Sequence, residues 1–248
     1  MVKYTQDWIT LAVHMISKRI DRLVELTKWP AAFFAVLTLP MTLYAWWKLI
    51  YQVQNYPGYS LMFAVGIGLF VFLARTTLAR TAFVRRIVEL ERDLTQSVLA
   101  FAMLHPVIGY GANQTKGSRV RWLGRGNWIM LAAPYFVPTS TMILWLVSLV
   151  FFASLRSLVL GFGISYHLTA VAIQCQSGTS EIRRLGRKFC WMFLPCANLF
   201  VAGLVAAYSL NGFTAVGDFF YDWFGLPRMA LTWFWSRAFS SDSSSTAE

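Results

Sequence analysis

Three histidines, three cysteines and one charged run are the groups of this chain whose types and spacing could do chemistry. The run is I-V-E-L-E-R-D-L-T-Q-S-V-L-A-F-A-M-L, Ile87 to Leu104, which sets Glu89, Glu91, Arg92 and Asp93 beside a stretch of membrane-grade apolarity. Charges held near lipid are costly unless they pair or perform a function. A zinc centre needs three or four converging His, Cys, Asp or Glu ligands, and a helix commonly supplies two His at i and i+4. His14, His105 and His167 are not spaced that way. His167 follows Tyr166 inside an apolar segment; it reads first as a core histidine bonded to a polar neighbour and second as an ion or proton group. Cys175, Cys190 and Cys196 are odd in number and lack C-x-x-C spacing, which predicts reduced, small core residues rather than a disulfide framework. There is no G-x-S-x-G elbow and no Walker loop, and the glycine pairs at 66/68 and 161/163 fall in apolar segments where close helix packing accounts for them. On residue chemistry alone the chain reads as non-enzymatic.

The elements that must position these groups follow from composition. With 57% hydrophobic and 17% aromatic residues against 13% charged, the 248 residues cannot form an ordinary soluble domain. The fold class expected is an all-α polytopic membrane protein of about five spans with a partly inserted helix, a short cytoplasmic β-hairpin and amphipathic interfacial helices at both ends. Residues 1–29 lack a signal-peptide layout and repeat Ile9, Val13, Ile16, Ile20, Leu23 and Leu26 at helical spacing, an amphipathic helix for the membrane surface or a partner subunit. Residues 30–75 form a transmembrane hairpin, with spans over Ala31 to Val53, kinked at Pro40, and Tyr59 to Ala74. The core runs over 76–212: the charged helix, strands over Val107 to Gln114 and Ser118 to Leu123 around a turn at Thr115 to Gly117, then spans over Ile129 to Ala153, Ser157 to Ile173 and Phe189 to Leu210. Residues 213–237 read as an interfacial aromatic segment broken by Gly225 and Pro227, and 238–248 as a disordered Ser-rich tail.

The net charge of +11 is read as topology and attraction to anionic lipid on the cytoplasmic face, not as nucleic-acid binding. Five Lys and Arg lie in the N-terminal segment, nine between Arg75 and Arg125 and four after Gln174, all on one side if the helix from Leu94 enters the bilayer and turns back at Pro106. That places the N-terminus in the cytoplasm and the C-terminus outside.

The order of motifs resembles the site-2-protease-like family of membrane-embedded zinc metallopeptidases, in particular its small divergent bacterial members. A family helix carrying E-H-E-L-T-H-A-L corresponds to Glu91 through Val98, after which come Gly126-Asn127-Trp128, the run Ala133-Pro134-Tyr135-Phe136-Val137-Pro138-Thr139, Tyr166-His167-Leu168, Ser180-Glu181-Ile182 with Gly186 and Phe189, and Phe193-Leu194-Pro195-Cys196-Ala197-Asn198. The similarity covers Glu89 to Gly212, roughly half the chain. In the family, the two His of H-E-x-x-H bind zinc and the Glu activates water. Here Arg92 stands at the first His, Gln96 at the second, Asp93 at the catalytic Glu and Glu181 at the loop Asp. A guanidinium has no lone pair for a metal and an amide oxygen is a poor zinc ligand, so the resemblance implies a frame that has lost its metal chemistry and a chain without a cofactor.

The resulting expectation is a catalytically inactive, metallopeptidase-like protein of the bacterial inner membrane, acting as a binding or scaffold subunit among other membrane proteins. Arg92 takes the place of the cation in a buried pair with Glu181 or Asp93, or else joins its neighbours in ordinary helix-surface pairs. His167 and Asn198 form a candidate intramembrane polar site. Phe219, Phe220, Tyr221, Trp223, Trp233 and Trp235 offer a partner-contact surface. One alternative is an active intramembrane zinc peptidase with non-standard ligands drawn from Asp93, His105, His167 and Glu181; another is a small membrane carrier or channel.

Overall fold

A computed structural model describes residues 15–76, 82–105, 107–110, 120–122, 126–176 and 180–239. It is helical throughout, apart from two short strands. A helix over 15–26 (α1) leads into Lys28–Leu37 (α2) and Leu39–Gln52 (α3); Pro57–Thr76 (α4) and Ala82–Ala102 (α5) follow. After the strands come Trp128–Ala132 (α6), Thr139–Ser148 (α7), Ala153–Gln176 (α8), Ser180–Leu185 (α9) and Arg187–Phe239 (α10). Three of these helices are long and apolar enough to cross a membrane, and up to five crossings result if each of two bent pairs counts as one. The chain is therefore read as an integral membrane protein.

Prolines set both bends. The chain turns by 43° at Thr38, just before Pro40, which sits in the first turn of α3 where its missing N–H costs nothing. Between α6 and α7 the turn is 57°, across a 3-10 turn at Ala133–Tyr135 and a tight turn at Pro138, where Thr139 N bonds back to the Val137 carbonyl at 2.9 Å. Glycine governs the main helix contact. A Cβ on Gly66 would overlap the Leu158 carbonyl and one on Gly161 the Phe63 carbonyl, so α4 and α8 touch backbone to backbone. Gly163 is less crowded, since a Cβ there would stand 3.3 Å from the Thr141 Cα on α7, whereas Gly68 faces open space and takes no part. The packing role expected of Gly68 is thus not realised.

The register of contacts gives each helix a direction. Along α4 and α8 the numbers rise together, from Gly66 at Leu158 to Phe70 at Phe162 and Tyr166, so the two are parallel. α3 is likewise parallel to the first part of α10: Trp46 donates to the Leu199 carbonyl at 2.9 Å, and the Tyr56 hydroxyl meets the Asn211 amide at 3.0 Å. At that same end Ser157 donates to the Ser209 carbonyl at 2.7 Å. There α10 reverses, at Asn211 and Gly212, whose φ of +61 and ψ of −142 suit glycine alone.

Two expectations for the C-terminal region are corrected. Gly225 and Pro227 do not break the helix, which departs from helical dihedrals only at Asn211 and Gly212; Pro227 is accommodated within it. Nor does 213–237 lie apart from the body. It folds back antiparallel, with Phe219 against Gly203 and Trp46 and the Trp223 indole donating to Thr42 at 3.0 Å. The chain therefore runs back along α3 toward the end that carries α2.

Val107–Tyr110 (β1) and Val120–Trp122 (β2) pair antiparallel with an irregularity between Val107 and Gly109. The turn that would make them a hairpin falls in 111–119, outside the described residues, as do residues 1–14 and the tail beyond Phe239. Cys190 and Cys196 are buried free thiols, whereas Cys175 is exposed and is not a core residue. Replacing Gly161 with Leu forces α4 and α8 apart; thermal unfolding in detergent is expected to show a loss of about 1–3 kcal/mol, the cost of overpacking, while Gly68→Leu leaves the midpoint unchanged.

Candidate functional site

α5 contains neither glycine nor proline, and its i,i+4 spacing sets Arg92 and Gln96 on one face with Glu91 and Thr95 beside them. That face is inward. Arg92 is 8% exposed and Gln96 fully buried, and Glu181 on α9 is buried as well. Both α5 and α9 pack on α6. Arg92 Nε stands 3.8 Å from Asp93 Oδ1, within ion-pair range but too long for a hydrogen bond. Neither amide atom of Gln96 has a hydrogen-bond partner among the described residues.

The donor set does not fit the zinc that the resemblance would imply. Arg92 has no lone pair to give, and the Gln96 amide is sealed from solvent. The non-standard ligand set is not assembled either. Among the described residues no three of His, Cys, Asp or Glu come together in a way that could hold an ion. His105 Nε2 is 2.9 Å from Asp21 Oδ1, whereas His167 is engaged with Asn198.

His167 and Asn198 do meet, at 3.2 Å between Nε2 and Oδ1, and the geometry fixes their roles. Asn198 Nδ2 donates to the Tyr135 carbonyl at 2.7 Å and to the Leu194 carbonyl at 2.9 Å. Its oxygen therefore faces the imidazole, and His167 must carry a proton on Nε2. The Tyr135 carbonyl needs this donor because the helix breaks at 136–138. On the far side of the same break, Ser140 N donates to Glu91 Oε1 at 2.9 Å. A carboxylate from α5 thus caps α7, whose own N-cap residue, Pro138, has no side chain able to do so. Thr95 adds a 2.6 Å hydroxyl contact to Thr139. Tyr166 also faces Glu91, without a well-aligned hydrogen bond. Sequence reasoning missed the cap. The signal was present in Pro134 and Pro138, which promise a stranded carbonyl and N–H needing side-chain partners.

A second polar centre fastens α1. α5 ends in a Schellman turn, with Leu104 at φ +56 and His105 N bonded to the Ala100 carbonyl at 2.7 Å. This aims His105 at Asp21, which also accepts from Asn127 Nδ2 at 3.1 Å; Asn127 in turn caps α6 through Met130 N. The Trp128 indole adds a 2.7 Å bond to the Val24 carbonyl. α1 so presents Ser17 and Asp21 inward and leaves Ile16, Leu23 and Leu26 exposed. Asp21 thus finds its partners within the chain, while Lys18, Arg19, Arg22 and Glu25 are exposed.

Between α4, α5, α7 and α8 lies a half-open cleft of about 420 Å³, with walls that include Phe70, Ile87, Leu94, Ile143, Phe162 and Ile173. Glu91 and Tyr166 border it. Of the aromatic contact candidates, Phe219 is 2% exposed and Trp223 is packed against Phe200 and Phe224, so both serve the interior. Phe220, Tyr221, Trp233 and Trp235 are exposed.

No protein-family model matches the chain, and neither a curated protein nor a solved structure does. Two substitutions should move stability in opposite directions. Asn198→Leu strands the Tyr135 carbonyl and the His167 N–H, at a cost of about 2–5 kcal/mol. Gln96→Leu removes two unmet polar atoms from a sealed position and raises the unfolding midpoint by about 2–4 °C for each kcal/mol relieved; a fall instead would show that the amide has a partner.

Proposed function

We propose that the chain is a non-catalytic, metallopeptidase-like membrane protein that works by binding, with the cleft between α4, α5, α7 and α8 receiving an apolar helix of another membrane protein. The observation that carries this reading is the coexistence of that cleft with a reworked site beside it. The cleft is apolar and falls within the usual range of ligand sites, about 300–1,000 Å³. Of the charged and amide groups of α5, Glu91 at the border caps α7, while Arg92 and Gln96 do not line the cleft and turn into the core. Nothing in that set offers a base and a metal ligand together. In this reading the N-terminus is cytoplasmic, in a bacterial inner membrane, and the basic segments face anionic lipid.

A benzophenone amino acid at Ile87 or Ile143, which line the cleft, should form a protein adduct in native membranes, and the lipid-facing position Leu61 should not. Thr169→Trp, which fills the cleft, should abolish the adduct. Equal adducts from Leu61, or lipid adducts alone, would count against the binding role. The purified protein is expected to carry zinc at well under one equivalent by elemental analysis; a full equivalent would restore the peptidase reading.

A further inference from the structure

We propose that the second leg of α10 crosses the bilayer a further time and seats its last two turns, 233–239, in the phospholipid headgroup layer on the side of α1 and α2. The direction of travel comes from side-chain contacts. From the reversal at Asn211 and Gly212, the leg sets Phe219 by Trp46, then Trp223 on Thr42 and Gly225 by Tyr44, along α3 and away from Tyr56. Its length suffices. From 213 to 237 a helix rises about 37 Å at 1.5 Å per residue, against a hydrocarbon core of about 30 Å. From the level of Thr42 another 14 residues carry it about 21 Å further, as far as α3 and α2 run from Thr42 back to Lys28.

The chemistry of the end fits lipid better than a protein groove. Every residue over 228–237 is exposed, with Met229, Leu231, Trp233, Phe234 and Trp235 distributed around the helix. A protein groove calls for one apolar stripe, whereas lipid accepts apolar side chains all round. Trp233 falls about 30 Å from the reversal, where indole rings collect at the bilayer boundary. Arg237 stacks over Trp233 with Cζ 5.2 Å from the ring, a turn further on, at the level of phosphates that accept from guanidinium. No acid occurs over 223–239. Within the crossing, Arg228 rests on the Tyr221 ring at 5.0 Å and Asp222 lies in the field of Lys48. Both termini of the described chain then lie on one side.

The test places single cysteines at Arg22, Gly58 or Ser236 in a full chain carrying Cys175→Ala, Cys190→Ala and Cys196→Ala, reconstituted in sealed vesicles of one orientation. A membrane-impermeant maleimide should label Arg22→Cys and Ser236→Cys from the same face and Gly58→Cys from the other. Ser236→Cys reacting from the face that labels Gly58→Cys, or from neither, overturns the proposal. If the cysteine-free background fails to fold, a site-specific protease sequence inserted after Phe239 in the otherwise unaltered chain reads the same sidedness. An environment-sensitive dye on Ser236→Cys should then lose more fluorescence to headgroup-level quenchers than to quenchers near the acyl termini; the reverse ranking overturns the headgroup seat.

Discussion

The break at 136–138 is the constraint on which the rest of this protein depends. Inside a bilayer there is no water to receive a stranded carbonyl or N–H, so a span cannot be interrupted unless neighbouring helices supply the missing partners. Here they come from both directions. Asn198 of α10 takes the Tyr135 carbonyl before the break, and Glu91 of α5 takes the Ser140 N–H after it. Because Asn198 also holds His167, one interruption binds α5, α8 and α10 to the same place. Glu91 of the charged run and the His167–Asn198 pair, which read as a candidate polar site, thus serve the repair of a bent helix.

That changes what the charged helix means. Charge near lipid demands an explanation, and metal chemistry is only one of those available. Glu91 is explained by the N-terminus it caps and Asp21 by His105 and Asn127, and each of these contacts fixes one helix relative to another. Gln96 differs: as a sealed amide without a partner among the described residues, it costs free energy for no visible structural return.

Much of the architecture was legible because proline and glycine act locally. Pro40, Pro134 and Pro138 announced the two bends, and Gly66 and Gly161 announced a close helix contact. What could not be read was which apolar face meets protein and which meets lipid, since in a membrane both are equally apolar. Gly68 and Gly66 look alike in sequence, yet only one touches α8. Phe219 and Trp223 look like a contact surface for the same reason, and Gly225 and Pro227 look like a break although the surrounding turns absorb them. At the site, the residue types alone showed that Arg92 and Gln96 are poor zinc ligands. The pairing of Asp21 with His105 was invisible because 84 residues separate them.

The parallel contact of α4 and α8 has a consequence for synthesis. Gly66 and Gly161 belong to one interface but are 95 positions apart in the chain. At about 5–20 residues per second, the ribosome delivers the second glycine roughly 5–20 s after the first. During that interval this flank of α4 lacks its native partner, so the close backbone contact cannot form until α8 has been made. Assembly is then ordered by the clock of translation, and slowing it between these two codons prolongs the time for which α4 is open to other helices.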